Sequence, residues 1–541
     1  MNNHLLWLGL VHAAHACSFL TSTRELLPNL AHINYFLRLR GPDHTGTHRM
    51  NGLSFVHNLL HQTGRITPQP FVREAEGLVA LFNGEIYNYR TLQKELRPAG
   101  PPYASDGECI LDAYTRWGET FARRFDGEFA IAVFDWRRQR CIASTDPFGI
   151  KPLFAANESA TDDLRLAHDT AMHFGLSSYR TGLARAGHAR PWQLAPNSIY
   201  AWQLHRVQSS SGAARGDAAA GSAGAWRFEL ASVAPLHTFE VRQHKASTQD
   251  WERAFEAAVM KRTIGTQHGV LLPLSSGYDS GAIHLALIRL GVAHTTYSIV
   301  GEHENAHDLD LIRRRIDYAH RHLAASNHTP TASASSPTSA DVYANAANAA
   351  NAANANAHHL LRLNDSTYAA TLQALERQCE PYTYEYPHWS RVRPLSSPAF
   401  VPATLLGTVR KPMLKADTAL VGLAHICSLA RQAGVLTSLT GGGADETMTD
   451  YGFGGRRIGS QSQFGGYYPD DAQLRTIFPW HNFYYGSQRN YLAKEEYVTG
   501  AWGIEGRFPF LDTAVVQEQL LLSPSVKNRC VRRAGWPCVA E

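Results

Sequence analysis

The chain has 541 residues, 44% of them hydrophobic and 18% charged, which leaves ample core for about two or three domains of a soluble, globular, enzyme-sized protein. Its formal charge of +4 is small for this length and no dense Lys/Arg run appears, so composition offers no case for a nucleic-acid partner. Seven cysteines, at 17, 109, 141, 379, 427, 530 and 538, show no Cys-x-x-Cys spacing; they argue against a zinc site or a disulfide framework and fit reduced thiols in the cytoplasm.

At the N-terminus Leu5 to Val11 is apolar but far too short to span a membrane. Ala14-His15-Ala16 then leads to Cys17. Residues 1–16 are expected to be a cleavable leader or an extra start segment, and Met1-Asn2-Asn3-His4 lacks the Lys or Arg of a secretory signal. From Cys17 to about Phe154 the pattern is mostly β. Leu78 to Phe82 is an apolar strand leading into Asn83-Gly84-Glu85, and Phe129 to Phe134 alternates small and large apolar residues before a turn at Arg137 to Arg140 and a second strand from Cys141 to Ser144.

Gln208 to Ala225 is rich in Ser, Gly and Ala and reads as a linker, within a connecting stretch placed at 208–246. From about Ser247 strands and helices alternate. Gly269 to Ile283 reads as a buried strand, a tight turn of small residues and the opening of a helix, a layout in which backbone amides and a helix N-terminus can close on phosphate oxygens. Thr295 to Val300 and Val435 to Thr440 are further strands running into polar loops, which places ligands at the carboxyl ends of a parallel sheet. Between them, 324–357 ends in an Ala-Asn repeat with no apolar face and is expected to be a disordered insertion.

Three sets of motifs carry a resemblance. Arg40-Gly41-Pro42-Asp43, Asn83-Gly84-Glu85, Ser105-Asp106-Gly107-Glu108, Phe125-Asp126-Gly127 and Asp146-Pro147-Phe148-Gly149-Ile150-Lys151-Pro152-Leu153, preceded by Cys17-Ser18-Phe19, resemble the class II glutamine amidotransferase domain. Ser275-Ser276-Gly277-Tyr278-Asp279-Ser280 resembles the pyrophosphate loop of ATP-pyrophosphatases. Gly441-Gly442-Gly443-Ala444-Asp445-Glu446 and Ala501-Trp502-Gly503-Ile504-Glu505-Gly506-Arg507-Phe508-Pro509-Phe510-Leu511-Asp512 are similar to signatures of glutamine-dependent asparagine synthetases.

The resemblance implies an N-terminal αββα sandwich over 17–207 followed by a parallel-sheet α/β nucleotide-binding domain over 247–541. It implies that Cys17 attacks the side-chain amide of glutamine with its own α-amino group as base, that Asn83 and Gly84 form the oxyanion hole, and that Asp106 binds the α-ammonium. ATP would meet Leu274, Ser275, Ser276, Gly277, Asp279, Ser280, Ile299, Thr440 and Gly441, with Mg2+ on Asp279 and Asp445. Glu505 and Arg507 would line the entry of ammonia, and aspartate would be the carboxylate activated as β-aspartyl-AMP. The implied partners are these small molecules, not a membrane or a nucleic acid, and dimers are common in the family, which leaves a homodimer open.

The chain also departs from the family pattern. Leu59 stands where an arginine should pair with the glutamine carboxylate, so Arg49 or Arg65 must substitute or glutamine binds poorly. Cys17 lies behind sixteen residues and needs their removal to present a free amine. Ser276 replaces a loop glycine, and Gly442 replaces a glutamate of the amidation step. Twenty-nine residues follow Asp512, and Lys527 is the nearest candidate for a lysine that steadies the intermediate. Two further readings stand beside the synthetase: an amide-forming enzyme for another carboxylate, and an inactive homologue serving as a binding subunit.

Overall fold

The computed structural model describes residues 17–62, 64–159, 172–207, 226–266, 268–301, 306–326, 357–386, 409–412, 419–452, 456–457, 462–528, 530–531 and 539–540. The expectations for 1–16, for 208–225 and for most of the insertion at 324–357 lie outside the described residues.

In the N-terminal half the strands are β1 (Ser18–Ser22), β2 (His44–Met50), β3 (Leu53–Leu59), β4 (Phe71–Arg73), β5 (Leu78–Ile86), β6 (Gly127–Asp135), β7 (Arg140–Thr145), β8 (Phe154–Ser159), β9 (Met172–Ser177), β10 (Trp192–Gln193), β11 (Ser198–Arg206) and β12 (Trp226–Pro235). They form two antiparallel six-stranded sheets, ordered β10-β8-β9-β1-β3-β2 and β12-β11-β7-β6-β5-β4. Strand β12 lies within 208–246 and pairs along the whole of β11, so the second sheet continues into the stretch expected to connect the halves.

The alternation along β5 and β6 explains the layering. Val79, Leu81, Ala130, Ala132 and Phe134 point between the sheets, where they meet Phe19, Phe55 and Leu176. Leu78, Ala80, Phe82, Phe129, Ile131 and Val133 point the other way, under the helices Tyr89–Leu96 and Cys109–Trp117. Both faces of these strands are buried, which is why they read as continuous apolar runs. The arrangement of two helix-covered sheets is the expected αββα sandwich.

The C-terminal half is built on a parallel five-stranded sheet of β13 (Gly269–Pro273), β14 (His294–Val300), β15 (His358–Arg362), β18 (Val435–Leu439) and β19 (Glu505–Arg507), in the order β15-β14-β13-β18-β19. Two short antiparallel pairs, β16 (Thr383–Tyr386) with β17 (Val409–Pro412) and β20 (Cys530–Val531) with β21 (Val539–Ala540), stand apart from it. Strand order runs outward on one side of β13 and restarts on the other with β18. The crevice at the carboxyl ends of β13 and β18 is therefore the topological switch point, the place where open α/β sheets take their ligands.

The halves share a core. Leu20, Leu37, Val56 and Tyr179 of the first pack with Leu375, Leu420, Ala424, Tyr497 and Val498 of the second. Buried ion pairs cross the same boundary: Arg40 with Glu496 at 2.6 Å, and Arg262 with Glu128 at 2.7 Å. Among the described residues no helix is long and apolar enough to cross a membrane.

Candidate functional site

The first centre is a cavity of about 390 Å³ at the mouth of the N-terminal sheets, lined by Cys17, Leu59, Gln62, Arg65, Asp106 and Glu505 among others. Cys17 immediately precedes β1, and its thiol is fixed by one backbone unit: Sγ donates to the Leu60 carbonyl at 3.4 Å and accepts from the Leu60 N–H at 3.2 Å. Burial pushes this thiol up, so it is held as the neutral S–H. Gly84 also lines the cavity, with φ +128, and a Cβ there would stand 1.9 Å from the Glu128 carbonyl oxygen. Only glycine fits that approach. The neighbouring Asn83 is fully buried, and both polar atoms of its side-chain amide lack a hydrogen bond. An orphaned buried amide is costly, and Asn83, unlike Gly84, is not among the residues that line the cavity.

Asp106 accepts from the Ile86 N–H at 2.8 Å. Burial pushes its carboxyl up to about 7, with the charge of Glu505 adding to the rise, while the Ile86 and Gly107 amides oppose it. Glu505 arrives from the other half of the molecule, on β19. Burial alone would raise it, but Arg507, Lys151 and Arg40 together hold it below the usual carboxylate range. Arg507 pairs at 2.9 Å with Glu505 and at 2.9 Å with Glu85, and its Nη1 donates to the Arg262 carbonyl at 2.8 Å. Lys151 Nζ donates to the Gly506 carbonyl at 2.9 Å. Both residues of the Glu505-x-Arg507 motif thus sit at the boundary between the halves, Glu505 on the wall of the thiol cavity and Arg507 behind it.

The second centre lies at the switch point. Leu274 is buried, its N–H donating to the Tyr297 carbonyl at 2.8 Å and its carbonyl accepting from Ser298 Oγ at 2.5 Å. The turn that follows is closed by its own hydroxyls: Ser280 Oγ accepts from Ser275 N at 3.1 Å, and Ser275 Oγ accepts from Gly277 N at 3.1 Å. Ser276 is half-buried in this turn and Tyr278 opens the helix Tyr278–Arg289. Asp279 in its first turn packs against Gly441, whose added Cβ would come 2.7 Å from Asp279 Cβ. Asp279 is raised to about 6 by burial and then by the charge of Asp445, so the structure brings these two carboxylates together from separate loops. Thr440 N donates to the Arg507 carbonyl at 3.1 Å, and Thr440 Oγ1 accepts from Gly442 N at 3.2 Å. Ile299, farther along β14, contacts the helix Ala419–Gln432, where a Cβ on Gly422 would reach it at 2.9 Å.

Two like-charged carboxylates, Asp279 half-buried and Asp445 exposed, without a cationic partner among the described residues fit a hard cation that keeps most of its ligands from phosphate and water. No group of three or more His, Cys, Asp or Glu suited to a metal occurs among the described residues.

Other expectations are redistributed. Arg49 faces Glu25 across 3.7 Å with more than half of each side chain exposed and is not part of the cavity wall, whereas Arg65 is. Lys527 is buried away from the two carboxylates: its Nζ donates to Gln243 Oε1 and the Leu520 carbonyl, each at 3.0 Å, and lies 4.3 Å from the centroid of the Tyr468 ring. Burial lowers it to about 7. Its contacts are those of a structural strut.

Residues not anticipated from sequence also enter. Gln62 spans from the thiol cavity to β18, donating to the Leu436 carbonyl and accepting from Thr437 Oγ1, both at 3.2 Å. Arg315, on the helix Ala306–Ser326, donates Nη1 to the carbonyls of Ser275 at 2.6 Å and Gly277 at 3.0 Å and so braces the second turn. Nothing in the run Arg313-Arg314-Arg315 marks out the third residue, because only the helix phase decides which guanidinium reaches the turn.

Residues 15–186 match the family described as glutamine amidotransferase domain, and with the two antiparallel sheets and the thiol cavity they form a class II glutamine amidotransferase domain. Its relatives are asparagine synthetases. The chain is 40% identical over 143 residues to a putative glutamine-hydrolyzing asparagine synthetase of Mycobacterium tuberculosis, covering 24% of this chain and 22% of that protein. It is 37% identical over 119 residues to asparagine synthetase 2 of Oryza sativa subsp. japonica, covering 22% and 20%, and 30% identical over 181 residues to the enzyme of Zea mays, covering 30% of each. The matches thus span less than a third of the relatives' own length. Among solved structures, the allosteric regulatory enzyme of purine biosynthesis aligns over 49% of this chain and 62% of that chain, at 13% identity and a TM-score of 0.28, a likeness too slight to bear on the fold.

Proposed function

We propose that the chain is an asparagine synthetase-like ligase that releases ammonia from glutamine at Cys17 and uses it to amidate a carboxylate, aspartate, activated by ATP at the switch point. One observation carries this reading: the three-residue strand β19 touches both centres. Glu505 lines the thiol cavity, β19 pairs residue for residue with β18, and the Arg507 carbonyl receives the N–H of Thr440 in the loop that leads to Asp445.

The chemistry follows from the residues. In the first centre the thiol adds to the side-chain amide carbon, Asn83 and Gly84 face the oxygen that gains charge, Asp106 holds the α-ammonium, and ammonia departs. Removal of residues 1–16 would leave Cys17 with the free amine that serves as base. In the second, a carboxylate oxygen of aspartate forms a bond to the α-phosphorus of ATP as the bond to pyrophosphate breaks. Ammonia then attacks the acyl carbon and AMP leaves. Magnesium on Asp279 and Asp445 would neutralise the pyrophosphate charge. Within the turn, the amides not engaged by its own hydroxyls orient the phosphates, with Arg315 bracing the turn from outside. An enclosed route between the centres would keep ammonia unprotonated.

The acceptor is the least constrained part of the site. Gly442 brings no acid–base group and Lys527 is engaged elsewhere, and this favours, as a second reading, an acceptor carboxylate other than aspartate. Pyrophosphate release from ATP and magnesium, with ammonium supplied and with or without aspartate, tests the first reading. Aspartate-dependent release with asparagine as product supports it; release that needs a different carboxylate supports the second; no release from folded protein leaves the binding subunit.

A further inference from the structure

We propose that Arg65 is the carboxylate-binding residue of the amino-acid pocket, replacing from a neighbouring loop the arginine that Leu59 lacks; the proposal rests on the reading of the thiol cavity as a glutamine site. Leu59 is buried in the cavity wall and can offer a carboxylate nothing but hydrocarbon. Of the described residues that line the cavity, Arg65 alone is a lysine or arginine, while Glu85, Asp106 and Glu505 are carboxylates. Glu85 and Glu505 are answered by Arg507 behind the wall. Among the described residues Asp106 has no ion-pair partner, and the exposed Arg65 guanidinium makes no hydrogen bond or ion pair with them. One anion and one cation are thus left open to the same cavity, which is the complement of a zwitterionic α-amino acid.

The backbone holds the pair in register. Gly64 has φ +77, and a Cβ there would lie 2.1 Å from the Ala104 carbonyl oxygen, so glycine lets this loop close on the segment that leads into Asp106. The Arg65 N–H then donates to that carbonyl at 2.8 Å, and the ring Nε2 of His61 bonds the Gly64 carbonyl at 2.8 Å. The guanidinium is therefore carried on a pinned loop, two residues across from the Asp106 side.

The test is calorimetric titration of the full-length chain, with Cys17→Ala throughout to prevent turnover, using L-glutamine and 4-aminobutanamide, which is glutamine without its α-carboxylate. Arg65→Ala should weaken L-glutamine about 30-fold and leave 4-aminobutanamide unchanged. Arg65→Lys should recover part of the loss, since it keeps the charge without the fork, and Arg49→Ala should change neither ligand. Unaltered L-glutamine binding by Arg65→Ala, or equal loss of both ligands, overturns the assignment while the glutamine site stands. A parent protein that binds neither ligand overturns the glutamine reading itself.

Discussion

Asp106 is buried in the cavity wall, and a carboxyl pushed up to about 7 must be ionised to hold an ammonium. Between pH 8 and pH 6 its ionised fraction falls about tenfold, so the KM for glutamine should rise about tenfold over that range. Linkage gives the same group a second signature. Its folded pKa lies above the unfolded value, so the folded state binds the proton more tightly, and stability declines as pH rises from about 4 through 7. Asp106→Asn should remove that slope in urea titrations at pH 5 and pH 8, at the cost of glutamine affinity. At the other centre, Asp279→Ala or Asp445→Ala should abolish pyrophosphate release; retained activity in either would remove the magnesium reading. These aspartates could be named from the sequence because their two loops resemble known signatures; an acidic residue in a Gly-rich loop is by itself usually a solvated turn. Arg65 could be named only together with Arg49, since the choice depends on which loop closes on Ala104, and Gln62 and Arg315 act through contacts that local pattern does not encode.

At the scale of elements, strand β5 shows how far pattern reading reaches. The apolar run Leu78 to Phe82 marks a strand, but the ladder continues through Asn83, Gly84 and Glu85 to Ile86, opposite Gly127 to Ala130. Partner strands, not propensity, extend it, and the extension is what places Gly84 on the cavity wall. Gly84→Ala should cost about 3 kcal/mol or more in urea unfolding, because the new methyl group meets a carbonyl oxygen that the ladder cannot move. Strand β19 is the opposite case: three residues, two of them charged, would not be read as a central element of a sheet. Its charges are tolerable because each is matched across the boundary. Arg507→Met removes the guanidinium that pairs at 2.9 Å with both Glu85 and Glu505 and should cost about 3–5 kcal/mol by the same measurement. The order β15-β14-β13-β18-β19 follows from long-range pairing and was legible only as a parallel sheet, whereas the two strand-then-loop units that form its switch point were read directly.

For the whole molecule, the shared core and the buried pairs Arg40–Glu496 and Arg262–Glu128 make the boundary resemble the interior of one domain. Differential scanning calorimetry should therefore show one unfolding transition with calorimetric and van't Hoff enthalpies in agreement. Two separated transitions would mean that the halves fold independently. The strand that joins the two centres also bears on how such a protein can be recombined. A cut near residue 240 looks like a natural seam, yet the N-terminal part would then leave behind Glu505, one wall of its own pocket, and the guanidinium that answers Glu85. A chimera that exchanged the C-terminal half for that of a relative would inherit a foreign wall in its thiol cavity. The heritable module is thus not the N-terminal half alone but that half together with three residues of the other.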